Sequence, residues 1–301
     1  MKQTTDDKAL RAMIMLLEDP DETVFSEIKS RLMDMGAPAI HAMEDVWEST
    51  FNPILQSRIE DIIQHIQFTT VKDELRLWAD TGGTDLLQGS ILIARYQYPD
   101  LDEEEIRRQI EMIKKDIWLE LNPNLTAFEK IRVVNHILFD VHQFTGNTTN
   151  YHAPQNSYIN NVLESKRGNP LLLSILYSCI AQGLNIPVYG VNLPEHFILA
   201  YRDEFTHRED EDEEEPILFY INPFSKGAVF SRLEIDTFLK QLNLEPRRIY
   251  YESCPNTEII KRQIRNLMIS YEKLGYPNKE EELRQLLDIV TYHGGLGESF
   301  S

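Results

Sequence analysis

Only two cysteines, Cys179 and Cys254, occur in the 301-residue chain, and they lie far apart in sequence. That excludes a disulfide framework and a cysteine-built zinc site, and it suits a reducing cytoplasm. Positive charge is also scarce. Lys and Arg number 30 against 49 Asp and Glu, for a formal net charge of −19. No run of Lys or Arg offsets that balance, so nucleic acid and membrane surfaces are not expected partners. Apolar runs are short as well. The longest, Leu171 to Ala181, is interrupted by Ser174 and Ser178 and falls short of a bilayer span. The opening MKQTTDDKALRAM has neither the basic start nor the apolar stretch of a secretory leader. No HExxH, CxxC, Walker or dinucleotide glycine motif occurs, and His136 and His142, six apart on a predicted helix, share no face. No cofactor and no metal are expected, and the expected location is cytoplasmic.

What is present is enough apolar residues, 42%, to build substantial cores. Residues 1–80 carry helix signals. Pro20 and Pro53 each open an amphipathic stretch, and Val24, Ile28, Leu32 and Met35 follow the first at helical spacing. This spacing resembles the helix pairs of HEAT-type repeats. Further on, Asp102 is a candidate N-cap for a helix whose first turn carries Glu103, Glu104 and Glu105 and whose apolar stripe is Ile106, Ile110, Ile113 and Ile117. Thr126 and Glu129 have the spacing of a capping box, opening a helix expected to run to about Phe144. Asn169-Pro170 is a strong helix start, with Asn as N-cap and Pro where a missing N–H costs nothing.

Beyond that helix the pattern shortens to strands: VYGVN, HFILAY, ILFYIN and AVF. Nine acidic residues lie between Asp203 and Glu215, a run read as a solvated loop. If the strands on either side pair as a hairpin, His196 and Asn222 become cross-strand neighbours. From 257 two helices follow. Ile260, Ile264, Leu267, Tyr271 and Leu274 stripe the first, and a tetratricopeptide-like unit or docked tail is expected.

Three stretches, NSYINNVLESKRGNPLLLSILY, GLNIPVYGVNLPEHFILAY and YINPF, together resemble the SirB-type branch of the transglutaminase-like superfamily. The resemblance extends through TDLLQGSILIARYQYPDLDEE and covers most of the chain. It implies an α+β fold with a papain/transglutaminase-like core, in which a buried helix packs on an antiparallel sheet. That core is expected over 81–256, between a HEAT-like helical region at 1–80 and a tetratricopeptide-like helical tail at 257–301. The superfamily places a cysteine at the N-terminus of the buried helix, a histidine on a neighbouring strand and an Asp or Asn to hold the imidazole. Here Gly168 matches the superfamily glycine and His196 the histidine, and Asn222 stands where the superfamily carries Asp. The cysteine position falls on Pro170, which cannot be a nucleophile.

Ser174 shares the face of Pro170 but sits about one turn deeper, which makes it a weak substitute nucleophile. Cys179 should face the other side as a buried structural thiol. Asn156, Arg167, Asn169, Asn192 and Glu195 are the polar candidates to line the ligand cleft. Three functional readings follow. The first is a non-catalytic module that binds a peptide or protein partner, with His196 and Asn222 as the remnant of a triad. The second is an acyl transferase or peptidase-like hydrolase using Ser174 with His196 and Asn222. The third is a helical scaffold whose central domain is a spacer. Pro170 favours the first.

Overall fold

A computed structural model describes residues 3–203 and 214–294, with side chains from residue 8 onward. The acidic stretch 204–213 lies outside the described residues. The chain divides into two compact units, Met1–Glu74 and Leu75–Ser301. The division falls inside a helix rather than at the expected 80/81.

The first unit holds α1 (Gln3–Met15), α2 (Glu22–Met35), α3 (Ile40–Ser49) and the first part of α4 (Pro53–Asp80). Asp21 caps α2 by accepting from Thr23 N–H at 2.8 Å. Leu17, Leu32, Met43, Leu55, Ile59 and Ile62 are fully buried and form its core. Arg58 reaches across to donate to the carbonyls of Leu17 and Asp19, at 2.6 and 3.0 Å. Those carbonyls end a short 3₁₀ turn and need such a donor.

The second unit continues with α5 (Leu86–Gln97), α6 (Glu103–Glu120) and α7 (Ala127–Asn135). Asp102 caps α6, whose four stripe isoleucines are buried. Thr126 and Glu129 make the capping box of α7. The helix then widens into a π-helical segment, His136–Val141, in place of the uniform α-helix expected to Phe144. His142 N–H bonds back to Ile137, the five-residue step of a π-helix.

A two-residue parallel pair links β1 (Thr145–Gly146) to β2 (Arg167–Gly168), with α8 (Ile159–Ser165) between them. Next come α9 (Pro170–Gln182), β3 (Val188–Val191), β4 (Ile198–Arg202), β5 (Ile217–Asn222), β6 (Ala228–Phe230), α10 (Arg232–Gln241), α11 (Asn256–Leu274) and α12 (Pro277–His293). The four longer strands form one antiparallel sheet in sequence order. Its Val191, Ile198, Ala200 and Tyr220 cluster with Ile235 and Leu239 of α10. On another side α9 lies against β3 and β4, and α5, α6, α8 and α11 also pack on it. That surround explains why α9 is apolar almost all round.

The C-terminal end of the acidic run is anchored, which the reading as a solvated loop did not foresee. Glu215 accepts from Ser253 N–H and Oγ, at 2.6 and 2.7 Å, and pairs with Arg202. Glu214 pairs with Arg232, the first residue of α10.

Candidate functional site

The site is built at the N-terminus of α9. Asn169 caps the helix, its Oδ1 accepting from Leu172 N–H at 2.8 Å. Its Nδ2 donates to Ser157 Oγ at 2.7 Å, and its main-chain N–H donates to the Asn156 carbonyl at 3.2 Å. Asn156, 3% exposed, organises the loop before it. It accepts from Asn147 Nδ2 at 2.9 Å and donates to the Asn150 carbonyl at 2.6 Å. A buried amide with both ends satisfied is a rigid brace. Gly168 fits the same tight corner, since a Cβ there would meet Val162 and Leu173 at 3.2 Å.

These bonds set Asn169, Pro170 and Leu171 along one wall of a cavity of about 140 Å³. Arg262, Asn266 and Ile269 of α11 also line it. Glu195, Phe197, Tyr151 and His152 line it as well. Glu195 is exposed and left-handed at φ 58°, a kink that turns the chain just ahead of β4.

The remaining predicted residues are dispersed. His196 is exposed and precedes β4, because its N–H closes onto the Pro194 carbonyl at 2.7 Å. Its ring packs on Phe238 of α10, centroids 4.8 Å apart, and does not line the cavity. Asn222 turns its Oδ1 to the N–H groups of Phe224 and Ser225, at 3.1 and 3.3 Å, capping the turn after β5. In the β4–β5 register Leu199 faces Ile221, so the row of Asn222 falls at Ile198 and not at His196. No hydrogen bond joins His196 to Asn222; the expected direct pairing is replaced by these two local turns.

Ser174 is fully buried and donates to the Pro170 carbonyl at 2.7 Å, a bond within the helix. Cys179 is largely buried, and burial pushes its thiol up to about 12, with nearby Asp85 adding to the effect. Arg167 is exposed on β2, and Asn192 accepts from Arg262 without lining the cavity.

Arg262 and Asn266 were not anticipated. Residues from 257 onward read as a tail, yet α11 is a wall of the site. The signal lay in the helix itself: Arg262, Asn266 and Lys273 fall on a polar face beside the apolar stripe. Arg262 Nη1 donates to the Leu193 carbonyl at 2.8 Å and to Asn192, and its guanidinium lies 5.6 Å from the Phe197 ring centroid. Burial pulls its pKa below the usual range, and among the described residues only neutral oxygens accept from it. The cleft thus carries the Arg262 guanidinium, with Pro170 at the helix end.

A family model described as the transglutaminase-like superfamily matches residues 104–265. Among curated proteins, a UPF0162 protein of Xylella fastidiosa is 33% identical over 135 residues, 42% of this chain and 46% of the relative. F-box only protein 21 of Mus musculus is 25% identical over 233 residues, 67% of this chain and 35% of the relative. A UPF0162 protein of Vibrio cholerae is 22% identical over 188 residues, 61% of this chain and 65% of the relative. The chain thus spans less than half the length of the first two of these relatives. No solved structure matches it.

Proposed function

The chain belongs to the transglutaminase-like superfamily, and we propose that it is a non-catalytic member whose cleft at the start of α9 holds a peptide or a segment of a partner protein. The observation that carries this reading is Pro170 in the cleft wall. A superfamily enzyme needs a thiolate at this place and free amides behind it to stabilise an oxyanion. Pro170 supplies neither a thiol nor an N–H, and the Leu172 N–H is already taken by Asn169. The position of the His196 ring on Phe238 points the same way, since a general base must come within about 3 Å of the proton it takes. The likeness to a protein named F-box only protein 21 is compatible with a role in protein contacts, and it adds no residue-level argument.

The test is turnover by the full chain. Incubated with a glutamine-bearing protein and a fluorescent primary amine, the protein should incorporate no label and release no ammonia above a buffer control. It should likewise leave a panel of acyl esters and peptide amides intact. Measurable turnover that disappears in Ser174→Ala would replace this reading with that of a serine-dependent transferase or hydrolase.

A further inference from the structure

The cleft does not end at Ser270. A second cavity, of about 550 Å³, shares His152 and Ser270 with the first. Its walls carry Tyr98, Tyr158, Tyr271 and Tyr276, with Lys273 and Lys279 among them. No Asp or Glu among the described residues lines it, and Glu195 is the one carboxylate lining the smaller cavity. In a chain of net charge −19 that is a local reversal of sign.

Two of the three cations there, Lys273 and Arg262, meet no carboxylate among the described residues. The ammonium of Lys273 reaches a ring nitrogen of His152 at 2.9 Å, a contact in which the imidazole can only accept. Lys279 lies 4.5 Å from the Tyr96 ring centroid and 3.7 Å from Glu282, a carboxylate that also accepts from Tyr96 OH at 2.7 Å. At the other end Arg262 donates to the neutral oxygens of Asn192 and Leu193.

One face of α11 joins the two cavities. Arg262, Asn266, Ser270 and Lys273 follow at helical steps, all on the groove side. Eleven residues at 1.5 Å each separate Arg262 from Lys273 by about 16 Å. An extended peptide covers that distance with about five residues. Tyrosine-rich walls suit such a guest, because they offer apolar rings and fixed hydroxyls at little entropic cost.

We propose that the two cavities are one groove for an extended peptide of about five residues, with a carboxylate seated between Lys273 and Lys279, an aromatic side chain against the tyrosines, and main-chain carbonyls meeting Arg262 and Asn266. This deepens the binding reading and rests on it. A polyanion such as nucleic acid is repelled by the chain as a whole, whereas one or two carboxylates answer the local charge.

The experiment is to pan a phage-displayed library of random heptapeptides on the immobilised full chain. Panning is repeated on Lys273→Glu/Lys279→Glu, and on Lys273→Gln/Lys279→Gln in case charge reversal harms folding; thermal melts check each variant. Peptides pairing an acidic residue with an aromatic one should be enriched. Synthesised singly, they should bind the wild type at least tenfold more tightly than either variant. Enriched peptides that need no acidic residue, tolerate both lysine variants and are lost in Asn266→Trp would overturn the proposal and leave the cleft reading standing. No enrichment at all would overturn both.

Discussion

Pro170 concentrates the question of what this cleft can do. Its ring starts α9 well and leaves the helix end without a reactive atom. Burial pushes the thiols of both Cys179 and Cys254 up to about 12, so neither is a thiolate near neutral pH. Pro170→Cys should behave differently. Its sulfur would stand at the positive end of α9 in a cavity shared with Arg262, which should bring its pKa below the ordinary value of about 8.5. The wild-type protein should therefore resist iodoacetamide at pH 7, while Pro170→Cys takes up one equivalent at least tenfold faster, located by peptide mass mapping. Adding His196→Ala should not change that rate, because the ring rests on Phe238. An introduced thiol as slow as the native pair would show that residue 170 is not in a polarised position. Slowing by His196→Ala would instead put the imidazole over the cleft.

Much of the element scale was legible, because it depends on local chemistry. Asn169-Pro170, Asp102 and the Thr126–Glu129 box each announce a helix start through their own hydrogen bonds. ILFYIN and AVF match β5 and β6 residue for residue. His196 was misjudged because a left-handed Glu195 and a tight turn delay the start of β4 by two residues, to Ile198, and no side-chain pattern encodes that backbone choice. The π-helical widening at His136–Val141 is hidden for the same reason. The role of α11 was missed because it depends on distant partners. Gln263 is fully buried and donates to Ser90 Oγ and the Ser157 carbonyl, at 3.2 and 3.0 Å, while Tyr158 and Tyr271 share a hydrogen bond of 3.0 Å. Ile260, Ile264 and Leu267 are fully buried as well. Losing one large apolar side chain from a core costs about 2–5 kcal/mol, and a domain has only about 5–15 kcal/mol in total. A chain of residues 75–255 should therefore show no cooperative thermal transition by circular dichroism. One of residues 75–275 loses α12 and should melt cooperatively, at a lower temperature than 75–301. A cooperative melt of 75–255 would return α11 to the status of a tail.

For the whole molecule the governing quantity is the charge imbalance. No helix among the described residues is long and apolar enough to cross a membrane. The chain carries 49 acidic and 30 basic side chains. Many described ion pairs are one helical turn apart and exposed, such as Arg31–Glu27 and Arg284–Glu280. Pairs of that kind are worth about 0–1 kcal/mol each and weaken with salt. Even if every cation found a partner, 19 carboxylates would remain in excess, taking 49 less 30. Their mutual repulsion acts over distances that salt screens, about 30 Å at 0.01 M but about 10 Å at 0.1 M. The two effects oppose each other, and the unpaired excess should win because it acts on the folded chain as a whole. The thermal midpoint at pH 7.5 should accordingly rise as sodium chloride goes from 10 to 300 mM. Sucrose at matched osmolality separates screening from solvent exclusion, since it cannot screen charge. A midpoint that falls with salt would mean that the ion pairs, and with them the anchoring of Glu214 and Glu215, hold the fold more strongly than the net charge strains it.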